Sequence, residues 1–97
     1  MLQAEPQDVF LRYALAMEME KAGEHQSALA LHLQLTQESS PHVASFFRSA
    51  QILVGQGQYE AARGFLRDGI EVARRSGDLH SAAEMSEMLG QLGGHAG

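Results

Sequence analysis

The sequence predicts an all-α chain of five helices folded as antiparallel helix-turn-helix units, and three observations predict it. Helix starts and stops recur along the chain, whereas strand punctuation is absent. The segments joining the helical stretches are short, which forces successive helices to lie antiparallel. Sliding the chain by 34 residues lays apolar positions on apolar positions and glycine on glycine, as Val9 on Val43 and Gly23 on Gly57.

The first helix is expected from Asp8 to Ala22, with Pro6 before it as a first-turn proline. Its apolar residues Val9, Phe10, Leu11, Tyr13, Ala14, Leu15, Ala16, Met17 and Met19 wrap most of a cylinder, a pattern expected of a helix sandwiched between neighbours. Gly23 stops it. The next stretch, 24–38, contains an apolar alternation from Leu29 to Leu35 that also fits a strand. Its Ala, Leu, Gln and Glu content, with no β-branched residue before Thr36, selects helix. A third helix is expected over 42–54, with Pro41 in its first turn and Ser39 and Ser40 as capping hydroxyls. A fourth spans 59–75, and Asp78 is the expected N-cap of a fifth over 79–92, followed by a frayed GGHAG tail.

Composition bounds the function. The 97 residues suffice for one domain with a modest core, and 44% apolar with 20% charged residues argues against disorder. A net charge of -5 disfavours a nucleic-acid partner. The densest basic spots, Arg63 to Arg67 and Arg74–Arg75, are interleaved with acids and read as a solvated helix face. Without cysteine there is no disulfide, thiolate zinc site or cysteine nucleophile. The opening MLQAEPQDVF lacks a basic segment followed by an apolar run, and no stretch has the length to span a bilayer. The expectation is a cytoplasmic protein with no membrane partner.

The same shift of 34 also aligns Tyr13 with Phe47, Ala16 with Ala50, Met19 with Leu53 and Ala28 with Ala62. With this period, and with GQYEAA (57–62) as the best single match, the chain resembles the tetratricopeptide repeat family over roughly residues 7–75. The resemblance implies an α-solenoid in one domain, 1–97: repeat one about 7–40, repeat two about 41–75, a closing helix about 78–92 and a flexible tail 93–97. Ala16, Ala50, Gly23, Gly57, Ala28 and Ala62 match the family's small positions. Arg12 and His32 depart from it, standing where apolar residues are usual, and Ser40 and Arg74 occupy the terminal proline position. Gly69 falls where the family carries alanine and implies close backbone packing against a neighbouring helix; Gly64 has no place in the pattern. Gly57 is expected to end its helix in the left-handed conformation.

In this family the first helices of successive repeats line a concave groove that accepts a peptide or a helix. Carried over by position, that groove takes Phe10, Tyr13 and Met17 from the first helix, Phe47, Arg48 and Gln51 from the third, and Ser81, Met85 and Met88 from the fifth. The implied function is protein–protein interaction, with Tyr13 and Phe47 as anchors and Arg48 and Gln51 orienting the partner. A core role weighs equally for Phe10 and Phe47. The family's clamp for a C-terminal carboxylate needs Lys and Asn where Tyr13 and Met17 stand, so recognition of that kind is not expected. The alternative is a self-associating structural unit, a homodimer whose Met- and aromatic-rich face is buried by its own copy.

Metal, cofactor and catalytic roles are not expected. Among His25, His32, His42, His80 and His95 no two stand four apart, and Glu38 and His42 fall across a break at Pro41. His32 and His80 read as half-buried packing or surface residues. Glu18, Glu20, Asp68, Glu71, Glu84 and Glu87 read as solubilising helical carboxylates. The Gly55–Gly57 turn lacks the Lys-Ser or Lys-Thr of a phosphate loop. The chain is therefore expected not to be an enzyme.

Overall fold

The structure is a computed structural model, and it describes residues 8–93. Pro6 and residues 94–97 of the expected tail lie outside the described residues. These hold five helices and no strand: α1 (Val9–Lys21), α2 (His25–Thr36), α3 (Val43–Gly55), α4 (Tyr59–Arg75) and α5 (Leu79–Gly93).

Three of the four connections are built alike. In each a glycine follows the helix in the left-handed region, Gly23 at φ 81°, Gly57 at 76° and Gly77 at 80°. The amide after each glycine reaches back to the third-last helical carbonyl, Glu24 to Met19, Gln58 to Leu53 and Asp78 to Ala73, each at 2.8 Å. The glycine's own amide bonds to the next carbonyl along, that of Glu20, Val54 and Arg74 respectively. This double closure satisfies the orphan carbonyls and turns the chain within three residues. At the helix starts, Asp8 accepts the amides of Phe10 and Leu11 at 2.8 and 3.3 Å. Asp78 accepts the amide and hydroxyl of Ser81 at 3.1 and 2.8 Å, which holds its carboxyl below the usual range.

The fourth connection, 37–42, corrects the expectation for Pro41. Pro41 precedes α3 rather than entering its first turn, and Ser39 and Ser40 are exposed and cap nothing. His42 takes the cap position, because its amide is already held by the carbonyl of Leu35 at 3.0 Å and α3 starts from that anchor.

The buried residues fall at helical spacing, as in Ala28, Leu29, His32, Leu35 and Thr36 of α2, which resolves the ambiguous alternation in favour of helix. The apolar core draws on α2 to α5, with Leu35, Leu66 and Met85 its largest fully buried apolar side chains. Gly69 sits where α3, α4 and α5 meet. A Cβ at that position would lie 2.6 Å from both Phe46 Cβ and Met85 Sδ, so the missing side chain is what lets the helices approach. Gly64 is different: nothing stands within 4 Å of its missing Cβ. Gly64→Ala is expected to raise stability by up to about 1 kcal/mol through helix propensity alone, read as a higher urea midpoint with an unchanged slope.

The sandwiching expected of α1 is not found. Of its apolar residues only Ala16 is buried, while Phe10 is 81%, Leu11 48% and Leu15 50% exposed. Among the described residues α1 packs chiefly on α2 and forms one end of the stack, so half of its apolar girdle faces solvent.

Candidate functional site

On α1 the side chains of Phe10, Tyr13, Met17 and Glu20 share one face, spaced three, seven and ten residues along the helix. Tyr13 and Met17 are half-buried and Phe10 is exposed. The same face of α3 carries Phe47, half-buried, and Gln51, exposed. Between α3 and α5 lies an open groove of about 330 Å³ lined by Phe47, Gln51, Glu84, Glu87, Met88 and Gln91. A second hollow, between the α1–α2 turn and α3, is lined by Glu20, His25, Gln51, Ile52, Gly55 and Gln56, so Gln51 borders both.

Phe47, Gln51 and Met88 line this groove together, whereas Phe10, Tyr13 and Met17 of α1, Arg48 of α3, and Ser81 and Met85 of α5 are not among its lining residues. Met85 is fully buried against α4 and belongs to the core. Ser81 is spent on the cap of Asp78. The reason is register. Helix α4 runs to Arg75 while its counterpart α2 stops at Thr36, so α5 begins 36 residues after α3 rather than 34. At about 100° per residue, Ser81 and Met85 lie about a quarter-turn around α5 from the stripe of Glu84, Glu87, Met88 and Gln91 that lines the groove. Glu84, Glu87 and Gln91 face the groove instead.

Arg48 is also committed elsewhere. It donates to Glu20 through Nη2 at 2.9 Å and Nε at 3.4 Å, joining α1 to α3. The other oxygen contact of Glu20 is His32 Nε2 at 2.8 Å. His32 is wholly buried, and its Nδ1 lies 3.3 Å from Ser45 Oγ, which is 3.0 Å from His42 Nδ1. A carboxylate only accepts, so His32 Nε2 carries the proton and Nδ1 accepts from the Ser45 hydroxyl, which in turn accepts from His42. Tyr13 covers this chain of bonds, its ring centroid 5.5 Å from that of His32 and 4.6 Å from that of His42. Tyr13 therefore packs over the polar cluster and lines neither hollow. Burial pushes its hydroxyl above the usual range.

The electrostatics follow from burial. Desolvation lowers the pKa of His32, opposed by the hydrogen bond to Glu20. Burial, then the nearby His32, lowers that of His42. Burial pushes the Glu20 carboxyl up, but the bonds from Arg48 and His32 outweigh it and hold the group below its ordinary value.

Sequence reasoning missed this cluster because Glu20, His32 and Arg48 are distant in the chain and each reads as ordinary alone. The usable signal was the shift of 34, which places His32 on Leu66, a fully buried position. It also places Arg12 on the buried Phe46; Arg12 spans from α1 to Glu38 at 3.0 Å. Among the described residues no three His, Asp or Glu side chains are grouped to hold a metal ion. No helix among them is long and apolar enough to cross a membrane.

Paired antiparallel helices with a left-handed glycine closing each pair, stacked so that first helices share one face, define a helical-repeat fold of the tetratricopeptide class. Solved structures agree. The solution NMR structure of a tetratricopeptide repeat domain protein from Salinibacter ruber matches with a TM-score of 0.87 and 28% identity, over 94% of this chain and 92% of that one. A crystal structure of a tetratricopeptide repeat domain protein from Salinibacter ruber matches with a TM-score of 0.84 and 28% identity, over 91% and 98%. No family model matches the chain, and no curated protein does. The likeness to tetratricopeptide repeat domains covers most of the chain and points to a protein-interaction module with protein partners.

Proposed function

We propose that the chain binds a segment of a partner protein in the groove formed on the face of α1, α3 and α5. The observation that carries this reading is the α3–α5 groove, where Phe47 and Met88, both half-buried, lie beside the exposed amides of Gln51 and Gln91. Apolar side chains flanked by hydrogen-bonding groups suit a docked segment, the first supplying contact area and the second orientation. With Arg48 engaged by Glu20, Gln51 is the one of the two α3 polar residues left to orient a partner.

A photo-crosslinking side chain placed at exposed Gln51 is expected to give discrete covalent adducts with protein in the source cells, and none when placed at exposed Glu71 on α4. Phe47→Ala is expected to reduce the adducts at position 51 while the helical circular-dichroism spectrum is retained. Adducts from both positions alike, or from neither, overturn the reading. Loss of helix in Phe47→Ala assigns that residue to the core.

The second reading, self-association, is favoured by a different surface from the Met-lined groove. Leu11 and Leu15, with Ala14 between them, form the exposed outer face of α1. If two copies pair there, light scattering gives twice the monomer mass and Leu15→Glu halves it.

A further inference from the structure

The charge around the α3–α5 groove is one-sided. Its lining contains two carboxylates, Glu84 and Glu87, and no lysine or arginine. Helix α5 has no lysine or arginine anywhere along its length, and the only one on α3, Arg48, is held by Glu20. Glu84 has one ion-pair neighbour, the exposed His80 at 3.5 Å, and Glu87 has none among the described residues. The two acids stand three residues apart, on one face of α5 and next to Met88. Three acids elsewhere are ion-paired among the described residues, Glu18 with Lys21, Glu38 with Arg12 and Glu60 with Arg63, and the exposed Asp68 and Glu71 of α4, which line no part of this groove, are not.

We propose that the α3–α5 groove selects a cationic partner segment, one in which a large apolar side chain covers Phe47 and Met88 and an adjacent lysine or arginine meets Glu84 and Glu87. This rests on the reading of the groove as the binding face and adds the chemistry of the occupant. An acidic segment is excluded by like charge on one wall of the groove, and an uncharged one leaves both carboxylates partly desolvated without a counter-ion. The apolar floor supplies contact area, and the acidic wall supplies choice of partner and speed of encounter. Binding weakens with added salt, because both carboxylates are solvent-facing and are screened over about 8–10 Å at moderate ionic strength.

The test uses three fluorescein-labelled synthetic peptides of one pattern, made from leucine and alanine with lysine, glutamate or serine at the remaining positions. Anisotropy measures binding, and backbone amide shifts of the labelled protein locate it. The lysine peptide is expected to bind saturably and to move the amides of Phe47, Gln51, Met88 and Gln91. The double variant Glu84→Lys, Glu87→Lys is expected to bind it roughly tenfold more weakly. The double variant Asp68→Lys, Glu71→Lys changes net charge equally on exposed α4 positions and is expected to bind within about twofold of the parent. Thermal unfolding of each variant confirms folding. Equal weakening in both double variants shows attraction by net charge alone and overturns the proposal. Binding of the glutamate or serine peptide at the same amides, as tightly as the lysine peptide, overturns the cationic choice and leaves the groove reading standing. Binding by none of the three overturns both.

Discussion

Gly69→Ala is expected to lower the unfolding free energy by about 1–3 kcal/mol, although alanine is the better helix former by roughly 1 kcal/mol. The new methyl group would meet Phe46 Cβ and Met85 Sδ at 2.6 Å. The methionine sulfur belongs to a flexible side chain, but Met85 is fully enclosed. The Phe46 atom is the root of its side chain, so it moves only if α3 moves. Overpacking therefore outweighs propensity at position 69, whereas at position 64 propensity acts alone. Urea denaturation of the two alanine variants side by side is expected to shift the midpoints in opposite directions. A Gly69→Ala midpoint at or above that of the parent would show that the three helices do not depend on the missing side chain.

Glu20→Ala is expected to cost about 1–3 kcal/mol, because it strips from Nε2 of a histidine that is 0% exposed its one partner among the described residues. Arg48, partly in solvent, suffers less. His32→Leu is the informative companion. It gives repeat one the leucine that repeat two has at Leu66, leaves Glu20 with Arg48 and leaves Ser45 with His42. It is expected to be nearly neutral at pH 7. The two separate in acid. A histidine whose folded-state pKa is depressed stabilises the fold fully above its ordinary value of about 6.5, and that contribution is lost as pH falls below it. Glu20, also depressed, adds a loss that begins below its ordinary value, about 4.3. The parent is therefore expected to lose stability from pH 7 to pH 5, and His32→Leu to lose less, with His42 supplying the slope that remains. Denaturant midpoints across that range check this; parallel curves for parent and His32→Leu would remove His32 as the source.

The fold was legible because its signals are local. Gly23 and Gly57 mark left-handed turns, Ala16, Ala50, Ala28 and Ala62 mark close helix contacts, and all repeat at one spacing. Of the positions read from the repeat, Phe47, Gln51 and Met88 line the α3–α5 groove; Arg48 is taken by Glu20, Met85 by the core and Ser81 by Asp78, and the acids Glu84 and Glu87 were not legible there because the 34-residue spacing does not continue into α5. The exposure of α1 was not legible at all. A wide apolar girdle records how much surface a helix can bury, not how many neighbours it has. The polar cluster needed pairings between α1, α2 and α3 that no local pattern encodes, although His32 and Arg12 in core positions of the same repeat were the place to look.

The way α1 is attached has a kinetic consequence. It leans chiefly on α2, contributes one fully buried residue, Ala16, and is tied to α3 by the side-chain bridge from Glu20 to Arg48. The enclosed apolar cluster begins only at Ala28. In a stack where each helix is stabilised by its neighbours, opening starts at the end with the least enclosed surface. Amide hydrogens of Tyr13 to Met19 are expected to exchange with solvent first, and those of Leu53, Leu66 and Ile70 last, in step with global unfolding. Each opening of α1 uncovers His32, so the protection of that helix, measured against the intrinsic amide rate at each pH, is expected to fall in mild acid while that of the far end of the stack is held.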